Sequence, residues 1–401
     1  MSKTSYVPII EVYDPLRLQF IFRTPRKIVF GVNTVNNVGT EAEQLGARKA
    51  VIICDEGIRK AGIVDKVTKS LEEKGVEFEI WDKVEPEPHV ECAEDIVRFV
   101  RDGKFDLVIG VGGGSSMDMA KTAAVLVENP GPVKDYIGVG LIKKPGIPKI
   151  LIPTTAGTGS ECTHAAVMSI GRIKRWIADP ALFADVAIID PMLTLSLPPK
   201  LTAGTGLDAL SHAIECIMSI NANSITDSLA LSAIKLIFEN LRVAYYHGKN
   251  LEARYNMSLA ATMAGMVVTN AGAVLGHSAC YTYASDYRLP HGVSCAIALP
   301  YVMWYNLPVS AHKLALIAEA MGFDIKGLSV EEAAWKAIKA VKKLIEDVKL
   351  PTSLKEIGVP KEKLPEYAEE LVTQYPRPNN PRRVTKEDIL VMYEKMWEGE
   401  L

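Results

Sequence analysis

Along the first half of the chain, short unbroken apolar runs alternate with stretches whose apolar residues recur at helical spacing. Ala50–Cys54 (AVIIC) reads as a buried strand, followed by a helix through Lys60–Lys74 that ends at Gly75. Val76–Trp81 predicts the next strand and Cys92–Arg101 a helix closed by Gly103. Asp106–Val111 (DLVIGV) predicts another buried strand, Ser116–Val127 a helix, and Lys149–Ile152 and Val186–Ile189 two further strands. Continuous apolar strands separated by crossover helices imply a parallel sheet covered on both faces, hence a doubly wound α/β domain. From about Pro198 the pattern changes to Ala-, Leu- and Met-rich stretches at helical period: Leu207–Ser219, Ser224–Tyr246, Glu252–Asn270 and Glu331–Asp347. The Pro198-Pro199 pair fits a hinge, because proline continues neither a helix nor a central strand. The expected organisation is an α/β domain over 1–198 and an all-helical domain over 199–401, with a ligand cleft at the join.

Bulk properties narrow the function classes. A chain of 401 residues exceeds what one core comfortably supports, so two domains are expected. The net charge of −3 gives no broad attraction to nucleic acid or an anionic membrane. No apolar run approaches the roughly 18 residues of a membrane helix, and Met1–Tyr13 lacks a signal-type apolar core, so a cytoplasmic address is the default expectation. None of the six cysteines lies in a CxxC pair, which leaves them as small buried hydrophobes with reduced thiols.

Two loops carry candidate cofactor chemistry. Gly110-Val-Gly-Gly-Gly-Ser-Ser-Met-Asp118-Met-Ala-Lys121 follows a strand and opens a helix. Its glycines let backbone approach an anion, and the free N–H groups and dipole of the helix start favour phosphate. Ser115 stands where a strict GxGxxG would have its last glycine, and a plain tight turn also fits. Gly112, Gly113, Gly114, Ser115 and Asp118 form the first candidate set. Pro153-Thr-Thr-Ala-Gly-Thr-Gly-Ser-Glu161 follows the strand ending at Ile152 and offers the hydroxyls of Thr154, Thr155, Thr158 and Ser160, although a helix-capping loop also fits. Both loops would project from the carboxyl ends of strands, where open α/β sheets bind ligands. Asp55, after the strand Ala50–Cys54, could accept from a ribose hydroxyl and repel a 2′-phosphate, favouring NAD over NADP; a helix cap is its other reading.

Three of the seven histidines join an aspartate in a pattern that suits a metal. Asp208 and His212 are four residues apart on a predicted helix, so both project from one face. His277 and His291 would lie about 21 Å apart on one straight helix. Pro290 and the polar stretch Ser285–Arg288 break that helix and let the chain return. One carboxylate and three imidazoles suit Fe(II), Zn(II) or a neighbouring divalent ion. His89, His164, His247 and His312 have no comparable context and read as loop or surface residues.

Together these segments resemble the iron-containing (group III) alcohol dehydrogenases over almost the whole length, from Phe30-Gly31 to the stretch near Asn380–Trp397. The most specific are GGGSSMDMAK at 112–121, PTTAGTGSE at 153–161, DALSHAIE at 208–215 and the GH and HG pairs around His277 and His291. The resemblance implies Asp208, His212, His277 and His291 as ligands of a divalent metal, often Fe(II). It further implies Gly113, Gly114 and Ser115 around the pyrophosphate, and Thr154, Thr155 and Lys174 lining the cofactor site. Lys174 sits in KRWIADP, which matches the family's KxxIxxP stretch. Also implied is hydride transfer between a small alcohol and NAD(P), reducing an aldehyde or ketone in reverse, by a homodimer or larger homo-oligomer. There is one departure. Many members carry a further histidine four residues after the third ligand, and here that position is Tyr281, whose hydroxyl could move a proton or whose ring could merely fill space. Rival readings are a glycerol-dehydrogenase-like polyol or hydroxyacid oxidoreductase, a metal-dependent hydrolase and a non-catalytic nucleotide sensor.

Overall fold

A computed structural model describes residues 19–401; the reading of Met1–Tyr13 lies outside the described residues. The first element is a short strand β1 (Ile28–Phe30), followed by α1 (Val38–Gln44) and β2 (Lys49–Ile53). The helix expected over Lys60–Lys74 is α3 (Ile63–Glu72), set off from a short α2 (Glu56–Lys60), which the sequence did not predict, at Gly62, whose φ of 71° no helix accepts. Then come β3 (Glu77–Trp81), α4 (Val90–Gly103), β4 (Leu107–Gly112) and α5 (Gly114–Leu126). Gly103 does not close α4 but is its last turn, lying flat under the Phe105 ring; Lys104 takes the left-handed cap at φ 52°. After β5 (Gly138–Val139) and β6 (Lys149–Pro153) the chain makes an antiparallel hairpin, β7 (Ala165–Ile170) and β8 (Ile173–Ala178), before β9 (Val186–Ile189).

Six strands form one all-parallel sheet in the order β1-β9-β6-β4-β2-β3. Alternate side chains along β2 serve two cores: Val51 and Ile53 pack with α4 and α5, Ala50 and Ile52 with α1 and α3. That is why the central strands read as unbroken apolar runs. A separate three-stranded sheet, β5-β8-β7, was not expected from the sequence. Its hairpin turns on Gly171-Arg172, with Gly171 at φ 59°, a two-residue glycine turn that was a readable signal.

The remaining elements are helices: α6 (Pro199–Met218), α7 (Ser224–Tyr246), α8 (Leu251–Ala271), α9 (Leu275–Ala284), α10 (His291–Ala320), α11 (Val330–Asp347), α12 (Leu364–Gln374) and α13 (Lys386–Glu398). Pro198 caps α6 and Pro199 opens it, so the proline pair starts a helix, where its missing N–H costs nothing. These helices share one hydrophobic core, and Ala156 of the β6–β7 loop packs into it. The same loop meets α8 back to back: a methyl group on Gly159 would lie 2.5 Å from Gly265 Cα, and one on Gly265 would lie 2.4 Å from the Gly159 carbonyl oxygen. No single described helix is long and apolar enough to cross a membrane.

Candidate active site

The two sequence-identified loops sit side by side because Gly112 pairs with Pro153 in the β4–β6 register, and Thr154 N–H donates to the Gly112 carbonyl at 3.0 Å. From β2 the chain first adds β3 on one side and then β4 on the other, so the carboxyl ends of β2 and β4 flank the point where strand order reverses. That is where open α/β sheets take ligands. Gly113 caps α5, and the N–H groups of its first turn, at Gly114 and Ser115, have no partner within the helix. Asp55 caps α2, its Oδ1 accepting from Ile58 N–H at 3.0 Å. Its other oxygen faces the glycine turn, 3.6 Å from where a Gly112 Cβ would sit.

A cavity of ≈ 360 Å³ opens in front of these loops, lined by Gly114, Ser115, Asp118, Thr158, Ser160 and Lys174 on one side and by Asp208, His212, His277 and His291 on the other. Asp55, Gly112, Gly113, Thr154 and Thr155 do not line it; they lie at or behind the strand ends. Asp118 and Ser160 reach the cavity but are committed to each other, the Ser160 hydroxyl donating to Asp118 at 2.6 Å. Lys121, fully buried, binds Asp118 at 2.9 Å, Ser160 Oγ at 2.7 Å and the Ala165 carbonyl at 2.5 Å. This network ties α5 to the β6–β7 loop. Lys174, read from sequence as exposed but for the resemblance, is buried; it donates to Ser169 Oγ at 2.9 Å and pairs with Glu87.

Opposite stands the aspartate–histidine cluster. Asp208 and His212 share a face of α6, His277 sits in the first turn of α9, and His291 opens α10, so the break between α9 and α10 folds the last two histidines onto α6. Asp208 Oδ1 lies 3.7 Å from His277 Nε2 and 3.6 Å from His291 Nε2, and the His212 and His277 rings stack at 4.5 Å. Asp208 Oδ1, His212 Nδ1 and His277 Nε2 are buried without any hydrogen-bond partner, a costly arrangement for polar atoms that a shared divalent cation would satisfy. The donor set fits such an ion. Burial opposes ionisation of Asp208, but the three histidines hold its carboxyl well below the usual carboxylate range. Burial alone dominates at His212 and lowers its imidazole to about 4. At His277 burial is outweighed by Glu215 and Asp208, and the imidazole rises to about 10.

Sequence reasoning missed Glu215, Cys295, His164 and Arg377. Glu215, fully buried one turn beyond His212, accepts from His277 Nδ1 at 2.7 Å and from Gly276 N–H at 2.9 Å. Any side chain at 276 would collide with that carboxylate, and a methyl group on Gly292 would lie 2.1 Å from the Gly204 carbonyl oxygen of α6. The two glycines beside His277 and His291 are therefore what let α9 and α10 close on α6. Cys295 Sγ lies with the ligand atoms of Asp208, His277 and His291 inside a 4.8 Å group, and 3.5 Å from His291 Nε2. Burial pushes its thiol well up, and a protonated thiol is a poor ligand. His212 lines the cavity and Cys295 does not, which makes His212 the better fourth donor. His164 is no surface residue: it lines the cavity and its Nδ1 bonds Thr269 Oγ1. Tyr281 lines the cavity too, stacked on His291 at 5.7 Å, and burial raises its phenol well above the ordinary value.

Comparison with known proteins matches residues 25–191 to the family described as iron-containing alcohol dehydrogenase, and residues 202–397 to the C-terminal part of the Fe-containing alcohol dehydrogenase family. The chain is 40% identical over 373 residues to long-chain-alcohol dehydrogenase 1 of Geobacillus thermodenitrificans, covering 92% of this chain and 94% of the other. It is 36% identical to the NAD-dependent methanol dehydrogenase of Bacillus methanolicus, covering 92% and 97%. A crystal structure of 1,3-propanediol oxidoreductase superposes with a TM-score of 0.92 at 37% identity, covering 95% of this chain and 100% of that one.

Proposed function

Because this chain belongs to the iron-containing alcohol dehydrogenase family, we propose that it interconverts small alcohols and their aldehydes or ketones with NAD and a divalent metal, Fe(II) in the first instance. Asp208, His212, His277 and His291 hold the metal on the helical half, 199–401, and the glycine turn of the α/β half, 1–198, holds the cofactor. When bound, the metal polarises the substrate oxygen and the nicotinamide exchanges hydride with the adjacent carbon. The N–H groups of Gly114 and Ser115 at the start of α5 receive the pyrophosphate, with the dipole of α5 behind them. Asp55, its free oxygen turned toward Gly112, disfavours a 2′-phosphate and selects NAD over NADP. Tyr281, which lines the cavity stacked on His291, delivers the proton to the substrate oxygen in the reductive direction.

The observation that carries this reading is the convergence of three buried, unpartnered polar atoms on a cavity whose opposite wall is a helix N-terminus. The test is a panel of alcohols with NAD and with NADP, followed at 340 nm, on protein reconstituted separately with Fe(II), Zn(II) and Ni(II). Alcohol-dependent NADH formation is expected, and His277→Ala should lose bound metal and turnover together; a metal-depleted variant with full activity would sink the model. Tyr281→Phe, which keeps the stacked ring, should retain metal and lose about 10²-fold or more in kcat.

A further inference from the structure

The charged groups around the cavity pair off, with one exception. Lys174 meets Glu87, and Asp118 is held by Lys121. Asp208 and Glu215 both contact His277, and Glu215, which accepts from His277 Nδ1, also feels the charge of Arg377 at longer range. Arg377 lines the same cavity, and among the described residues no carboxylate lies within 4.0 Å of its guanidinium. The side chain is nonetheless anchored. Its Nε–H donates to Ser278 Oγ at 2.8 Å, and that hydroxyl donates onward to the Tyr375 carbonyl at 2.7 Å. Ser278 is fully buried and follows His277 directly, so the guanidinium is registered against the metal-ligand cluster. With Nε engaged, the Nη fork keeps four N–H donors in a plane suited to an oxyanion. The lining of the same cavity also includes the apolar Val167, Trp176, Ala178, Val268 and Ala273. A largely apolar cavity with one oriented cation that has no carboxylate in ion-pair contact matches a short carbon chain that ends in a compact anion.

We propose that Arg377 is a specificity-determining residue that binds a carboxylate, or another compact oxyanion such as a sulfonate, at the far end of the substrate. The preferred substrates are then short hydroxy acids and their aldehyde acids rather than neutral alcohols. This rests on the dehydrogenase reading of the same cavity. In the oxidative direction 4-hydroxybutanoate gives hydride to NAD and releases a proton, yielding 4-oxobutanoate and NADH with its carboxylate unchanged.

The experiment compares kcat/KM for 4-oxobutanoate, its sulfonate counterpart and neutral butanal in the metal-reconstituted full chain with NADH, for the native protein, Arg377→Ala and Arg377→Lys. The native protein should prefer an anionic aldehyde, and the alanine variant should lose that preference by on the order of 10- to 100-fold. The lysine variant, which keeps the charge but not the fork, should retain part of it. The ratio between the carboxylate and the sulfonate identifies which anion the fork fits. A native preference for butanal, or a ratio that Arg377→Ala leaves untouched, overturns the proposal. Binding of butanoate to the enzyme–NADH complex, measured by calorimetry, separates the two readings. Arg377-dependent binding without turnover of any aldehyde would support the anion site and sink the dehydrogenase reading. Turnover of butanal with no Arg377-dependent butanoate binding would do the reverse.

Discussion

His277 is held from two directions, and the second of them is the less obvious. Its Nδ1 proton goes to Glu215, which leaves Nε2 as the acceptor aimed at the cluster, and the same carboxylate takes the backbone N–H groups of residues 276 and 277. A carboxylate behind a ligating imidazole fixes its tautomer and raises its basicity. Glu215→Gln keeps the shape and removes the charge, so metal affinity is expected to fall by about 10- to 100-fold in competition with a chromogenic chelator. An unchanged affinity would show that Glu215 only packs. The sequence carried this residue's signal: Asp208, His212 and Glu215 are spaced four and three apart, one face of a helix. A glutamate is read as a ligand or a surface charge by habit, and its role behind a ligand becomes visible only when the histidine from α9 arrives. Arg377 had no such signal. It belongs to the irregular segment between α12 and α13, and what places it in the cavity is one hydrogen bond to Ser278, 99 residues away in sequence.

Among the elements, α10 decides whether the cluster forms. Its first residue is His291, and its first turn presses on α6 at Gly204, one turn before Asp208. Gly292→Ala puts a methyl group where the Gly204 carbonyl and the Asp208 Cβ already are. Overpacking of that kind costs typically 1–3 kcal/mol. The expected result is a lower thermal midpoint and less than stoichiometric metal; a variant with native metal content and stability would show that the helices separate without consequence. Five of the six strands of the parallel sheet and seven of the helices were legible because burial on two faces, or on one stripe, leaves a period. α10 was not, since its first half is buried almost all round and Pro300 and Pro308 lie inside it. Without a polar face there is no stripe to see, and the prolines read as breakers. The short elements β1, α1, α2, α9, α12 and α13 also went unassigned, as did the β7–β8 hairpin that carries Lys174.

At the scale of the whole molecule, the α/β and helical halves meet through the β6–β7 loop, which bonds to α5 through Lys121 and Ser160 and rests on α8 at Gly265. We place the boundary between the two units at the Pro198-Pro199 pair, where the last strand has ended and α6 begins. Gly265→Ala would drive a methyl group to 2.4 Å from the Gly159 carbonyl oxygen, so the loop must move away from α8. Weaker NADH binding with near-normal metal content is expected, read by cofactor fluorescence and metal analysis; equal loss of both would point to general unfolding. The glycine contact also has a bearing on how such an enzyme can change. Where side chains set a gap, rotamers and substitutions retune it; here main chain rests on main chain, a stop with almost no give. Under the proposed function, the span between hydride carrier and metal would thereby be insulated from the cavity walls. Residues such as Val268, Ala273 or Arg377 can be exchanged to admit a different substrate while the transfer distance stays the same.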